Sequence, residues 1–129
     1  MTPIDEVLLG LSLLTLLIIS IQGMTVPLTH GWHYGLGNRD EAREPTAFMR
    51  RCQRVLDNHL QALAMALPLL ILASSGPLQA NAQAALGAWI FLGARIAFTT
   101  IYLIGIPYLR SLSFGIGLAG LVVMLLALV

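Results

Sequence analysis

The chain has 129 residues, 57% of them hydrophobic and 10% charged, with a net charge of +1. Its mean hydropathy of +0.83 lies outside the range of soluble globular domains and inside that of membrane proteins, and its length allows a single domain over residues 1–129. All seven basic residues are Arg and none sits in a basic run interleaved with aromatics, which argues against a nucleic-acid partner.

In chain order, the acidic start Asp5-Glu6 stands where a signal peptide would be basic, and no small-residue cleavage pattern follows. The first apolar run, about 6–26, therefore reads as a retained helix. Residues 27–47 read as a loop punctuated by Gly31, Gly35, Gly37 and Pro45. A second helix, about 48–74, has a polar beginning and an apolar remainder, with a kink expected at Pro68. Ser74-Ser75-Gly76-Pro77 is a tight turn signal. The third helix, about 81–106, is interrupted only by Arg95, and Pro107 separates it from a fourth, about 110–129. Each run approaches the ~20 residues that cross ~30 Å of hydrocarbon. The predicted fold class is all-α, an integral membrane four-helix bundle.

Arg39, Arg43, Arg50 and Arg51 lie in or beside the long loop, and Arg110 lies at the third connection. The positive-inside rule then puts the 27–47 loop in the cytoplasm and both termini on the opposite side. This topology brings the start of the second helix, the end of the third and the start of the fourth to similar depth.

Arg51, Arg54, Asn58 and Gln61 are spaced to share one helix face. Polar groups at membrane depth must face protein or a wet cavity, so the face is either a site for an anionic, peptide-like ligand or a structural seam between helices. Asp57 is expected to balance Arg54 or Arg95, and Arg95, the deepest charge, reads as structural. Tyr102 shares a face with Arg95 and is either a pocket hydroxyl or an interfacial tyrosine. Arg110 is the best catalytic candidate, because a guanidinium added to the positive end of a helix dipole favours a thiolate. Ser111 beside it is a binding candidate or an N-cap. Gly115-x-Gly117-x-x-Gly120 matches a dinucleotide fingerprint but has no preceding strand, so it reads as close helix packing. His30-x-x-His33 lacks further ligands, so no metal site is expected, and Cys52 reads as a buried thiol.

Together these residues resemble the MAPEG superfamily, membrane-associated proteins in eicosanoid and glutathione metabolism. The resemblance covers almost the whole chain. The family pattern near R-x-x-R-A-x-x-N-x-x-E stands here as Arg51-Cys52-Gln53-Arg54-Val55-Leu56-Asp57-Asn58-His59-Leu60-Gln61. Gly37-Asn38-Arg39-Asp40 looks like the loop of a bacterial branch, and Arg95 with Tyr102, then Arg110-Ser111, also look like the family. The resemblance implies a homotrimer in a bacterial inner membrane, with glutathione as co-substrate held between subunits near the cytoplasmic side. By position, Arg51, Arg54, Asn58, Gln61, Tyr102 and Ser111 would bind it and Arg110 would stabilise its thiolate. The implied function is a glutathione transferase or peroxidase acting on a lipophilic small molecule from the bilayer. Gln61 replaces the family Glu, Asp57 stands where some members carry a basic residue, and Phe98 replaces a His of one prostaglandin synthase branch. These departures keep open a non-catalytic lipid-binding or scaffold protein of the same fold. A small transporter is a weaker reading, because the first helix holds no embedded acid between Val7 and Val26.

Overall fold

The protein is described from a computed structural model covering residues 1–129. Five α-helices follow one another: α1 (Pro3–His30), α2 (Trp32–Leu36), α3 (Ala47–Ala73), α4 (Ala82–Ile104) and α5 (Leu109–Leu128). A 3-10 turn, Gly76–Ala80, joins α3 to α4. All but α2 are long and apolar enough to cross a membrane.

Short polar residues start three of the long helices. Thr2 and Asp5 form a reciprocal capping box, with Asp5 N–H donating to Thr2 Oγ1 at 3.2 Å and Thr2 N–H donating to Asp5 Oδ2 at 2.9 Å. Thr46 Oγ1 accepts from Met49 N–H at 3.1 Å, and Asn81 Oδ1 accepts from Ala84 N–H at 2.9 Å. Asn81 also ties the two ends of the α4–α5 pair together, its Nδ2 donating to Ala127 O at 3.1 Å.

The 27–47 segment differs most from the expected loop. Pro27 does not end the first helix, which runs on to His30 and stops only where Gly31 adopts φ +91°. A proline removes one helical hydrogen bond, and here the flanking turns carry the helix past it. The chain then folds back as α2, with Gly35 buried against Pro27; a Cβ at Gly35 would stand 2.7 Å from Pro27 Cβ. Arg39 donates twice to Gly35 O, at 3.0 and 2.8 Å. Arg43 donates to His30 O at 2.9 Å while its guanidinium lies 4.2 Å over the Tyr34 ring. The segment is thus pinned to the end of α1.

α4 and α5 pack most closely. Gly87 and Gly120 face each other: a Cβ on Gly87 would come within 2.5 Å of Gly120 O, and one on Gly120 within 2.7 Å of Gly87 O. Gly117 packs against Ala94, whereas a Cβ at Gly115 would meet open space. Of the fingerprint-like glycines, Gly120 therefore serves backbone contact, Gly117 faces side chains of α4, and Gly115 faces neither.

The antiparallel helices divide the interior into two ends. The start of α1, the end of α3, the start of α4 and the end of α5 enclose a continuous apolar core that includes Ile4, Val7, Leu70, Ala88, Phe91 and Met124. At the other end a smaller cluster, Leu14, Ile18, Val55, Phe98 and Tyr102, sits among buried polar groups.

Candidate functional site

α3 buries the stripe Cys52, Val55, His59, Ala62, Ala66 and Leu70. The predicted face of Arg51, Arg54, Asn58 and Gln61 is rotated to one side of that stripe, so its members go to different places. Asn58 and Arg51 are half-buried, while Arg54 and Gln61 are exposed.

Asn58 turns toward α4. Arg95, only 2% exposed, donates from Nη1 to Asn58 Oδ1 at 2.7 Å, and its guanidinium lies 4.5 Å over the Phe98 ring. Asn58 lies eleven residues into α3 and Arg95 nine residues from the end of α4, which puts both about 14–16 Å below that end of the bundle at 1.5 Å per residue. One helical turn further along α4, Phe98 leads to Tyr102, their rings 5.5 Å apart. Arg110 closes the set from α5, its guanidinium 4.5 Å over the Tyr102 ring. Asn58, Phe98, Tyr102, Arg110, Ser111 and Phe114 together line an open cleft of about 310 Å³.

Four of the residues singled out in the sequence thus meet in one cleft: Asn58, Tyr102, Arg110 and Ser111. Tyr108, at φ +67°, is the N-cap of α5 and makes no side-chain cap bond. Ser111 is therefore not the cap that its position beside Arg110 allowed; it sits in the first turn, where its hydroxyl lines the cleft. Arg51 lies apart, packed at the C-terminal end of α4, where a Cβ on Gly105 would be 3.6 Å from its Cζ. A guanidinium there opposes the negative end of the α4 dipole. Arg54 and Gln61 point outward from the single chain.

The expected ion pair of Asp57 with Arg54 or Arg95 is corrected by the structure. Asp57 Oδ1 accepts from Gln53 Nε2 at 2.9 Å, and Gln53 Oε1 accepts from Gln22 Nε2 at 3.0 Å. Asp57 is on the outer side of α3, exposed, whereas Arg95 points inward between α3 and α5. Gln53 with Gln22 therefore forms a polar seam between α1 and α3 beside the predicted face, and of that face Asn58 is a cleft wall.

One buried polar contact has no counterpart in the sequence reading. His59 is fully buried and its Nε2 lies 2.8 Å from Thr15 Oγ1. The Thr15 hydroxyl already donates to Leu11 O at 2.7 Å, so the imidazole Nε2–H must be the donor to Thr15. The signal was a histidine at an inward position of the α3 stripe, but its partner lies 44 residues away. Phe98 and Phe114, with ring centroids 6.4 Å apart, complete the apolar side of the cleft. Cys52 lines an apolar niche with Ile18, Ile21, Val55 and Leu103. His30 packs edge-on against Tyr34 at 5.7 Å, and no three His, Cys, Asp or Glu residues gather as a metal site.

The fold and cleft define a class: an all-helical integral membrane protein whose polar site lies between helices at one end of the bundle. The MAPEG family model matches residues 7–129, and the chain belongs to the MAPEG family. No curated protein and no solved structure matches it significantly.

Proposed function

We propose that the protein is a membrane-bound glutathione transferase or peroxidase acting on lipophilic electrophiles. The observation that carries this reading is the position of Arg110. Its guanidinium stacks on Tyr102 in the first turn of α5, in the same cleft as Asn58 and Ser111. A fixed guanidinium beside a helix N-terminus stabilises a developing anion, which is what conversion of a bound thiol to a thiolate requires. The thiol proton leaves to solvent. The sulfur then forms a bond to an electrophilic carbon and displaces that carbon's leaving group, which departs with the bonding pair. With a peroxide it attacks one oxygen and breaks the O–O bond, and the departing alkoxide takes a proton from solvent to give the alcohol. A second glutathione reduces the resulting sulfenic acid to the disulfide with release of water. Phe98 and Phe114 give the cleft the apolar wall that a bilayer-borne substrate needs.

Asn58, Tyr102 and Ser111 bind the tripeptide from within one chain. Arg51, Arg54 and Gln61 contribute only if a neighbouring copy closes the site over them. Gln61 lies about 21 Å into α3, at hydrocarbon depth, and it is exposed in the single chain. A polar stripe of Arg54, Asp57 and Gln61 is unfavourable against lipid tails. Coverage by a second copy relieves that exposure, which supports the homotrimer, with lipid around its outer surface. The arginine distribution supports a cytoplasmic 27–47 segment, termini on the opposite side and, with the bacterial-type loop, a bacterial inner membrane.

Calorimetry of purified protein in detergent, read together with thiolate absorbance near neutral pH, tests the function. Glutathione binding with a thiolate signal that Arg110→Ala abolishes is the expected result. Absence of binding at millimolar glutathione overturns it. A second reading, a non-catalytic lipid-binding or scaffold protein, is favoured by Gln61 in place of the family carboxylate. Co-purified lipid without glutathione-dependent turnover identifies that case.

A further inference from the structure

Asn58 stands between two environments. Its Oδ1 accepts from Arg95 Nη1 at 2.7 Å, and the residue also lines the cleft with Tyr102, Arg110 and Ser111. A guanidinium carries donors and no acceptor, so only the oxygen of the carboxamide can face it. The Nδ2 amino group is thereby the end of Asn58 left for the cleft. Arg95 has little freedom to release that oxygen, being 2% exposed and stacked 4.5 Å from the Phe98 ring. The partner residues of the cleft are a cation, Arg110, and two hydroxyls that can donate, Tyr102 and Ser111. With the amide held this way, every polar side chain in the cleft can present a donor.

We propose that Arg95 is a positioning residue that fixes Asn58 as a hydrogen-bond donor toward the cleft, so that the cleft takes an anionic or carbonyl-bearing group and rejects a cation. The inference rests on the reading that this cleft is the ligand site, and it adds a residue outside the cleft that sets which end of Asn58 faces the ligand. Arg95 touches no ligand itself; it acts through the amide.

The Asn58→Asp variant separates positioning from mere structural support. A carboxylate still accepts from Arg95, so the buried contact survives and the ligand-free melting temperature stays at or above that of the wild type. Its second oxygen replaces the amino group, so the cleft wall changes from donor to anion. Calorimetry on the full chain in detergent uses three probes: glutathione sulfonate, 1-naphthalenesulfonate and 1-naphthylmethylammonium. The wild type is expected to bind the anions and not the cation. Asn58→Asp is expected to weaken anion binding at least about tenfold, the effect of losing one hydrogen bond to a charged group and adding a like charge. Arg95→Lys, which keeps a donor facing Asn58, is expected to retain more anion binding than Arg95→Met. Discrimination of the naphthalene pair with no response to glutathione sulfonate sustains this proposal and removes the glutathione reading. Wild-type-like anion binding by Asn58→Asp, or no anion binding by the wild type, overturns it.

Discussion

The two ends of the bundle are built on different principles. At one end, α4 and α5 touch backbone to backbone through Gly87 and Gly120, and the interior is apolar throughout. At the other end, the same two helices carry aromatic rings and guanidinium groups, and His59, Arg95, Thr99 and Tyr102 are buried. Lipid tails are as apolar as leucine, so the first end is held by close packing of small residues rather than by exclusion of water. The second end holds polar groups at membrane depth, which is costly against lipid. Close backbone packing and buried polar groups are thus separated along the bundle axis.

Substitutions at the two ends should therefore fail in different ways. The largest effect is expected for Arg110→Ala: turnover with glutathione should fall by about 10²–10³, the loss typical of removing one preorganised anion-stabilising group. Its melting temperature should hold, since the residue is half-buried and makes no backbone contact in the packed end. A melting curve recorded beside the activity assay checks both halves of the expectation. At the packed end, Gly120→Val forces side-chain atoms onto Gly87 O and Phe91 N, and should destabilise by about 1–3 kcal/mol or more. Thermal unfolding followed by size-exclusion in detergent reads that loss, and a normal profile would remove the idea that the α4–α5 pair is packing-limited.

Thr15→Val tests the boundary between the ends. It strands the buried His59 Nε2–H without its acceptor and should destabilise by about 1–2 kcal/mol. Rescue by Thr15→Ser, which restores an oxygen at that place, distinguishes the lost hydrogen bond from a packing change. The smallest effect is expected for Gln61→Glu, which restores the family carboxylate. Glutathione binding should tighten about twofold to fivefold, the range of an ion pair of ~0.2–1 kcal/mol. No change would place Gln61 outside the ligand site.

The packed end was legible in the sequence and the cleft end only in part. Apolar runs of membrane length announce the four long helices, and glycines in an apolar helix announce close contact. Pro27 misplaced the end of α1 because a helix tolerates a proline when the turns beside it hold. The spacing of Arg51, Arg54, Asn58 and Gln61 puts them on one side of a helix, yet it says nothing of how that side is rotated against α4, and the four go to different places. That rotation is set by the inward stripe from Cys52 to Leu70, and it sends Asn58 to Arg95 and leaves Asp57 with Gln53. The expected pairing of Asp57 with Arg54 or Arg95 failed for the same reason. His59 with Thr15 and Asn58 with Arg95 are pairs across helices, for which a single sequence carries no local signal.

The short link between α4 and α5, residues 105–108, has a further consequence for how the site arises. Five of the six residues lining the cleft come from these two helices: Phe98, Tyr102, Arg110, Ser111 and Phe114. A helical hairpin with so short a link and a glycine seam is local in the chain, so bringing its two helices together costs little loop-closure entropy. The cleft is thus largely built within the hairpin, and Asn58 is the one wall that α3 contributes. Arg95, on the hairpin, is the group that meets it. Changes along α3 can therefore retune what the cleft accepts while the hairpin that carries Arg110 keeps its shape.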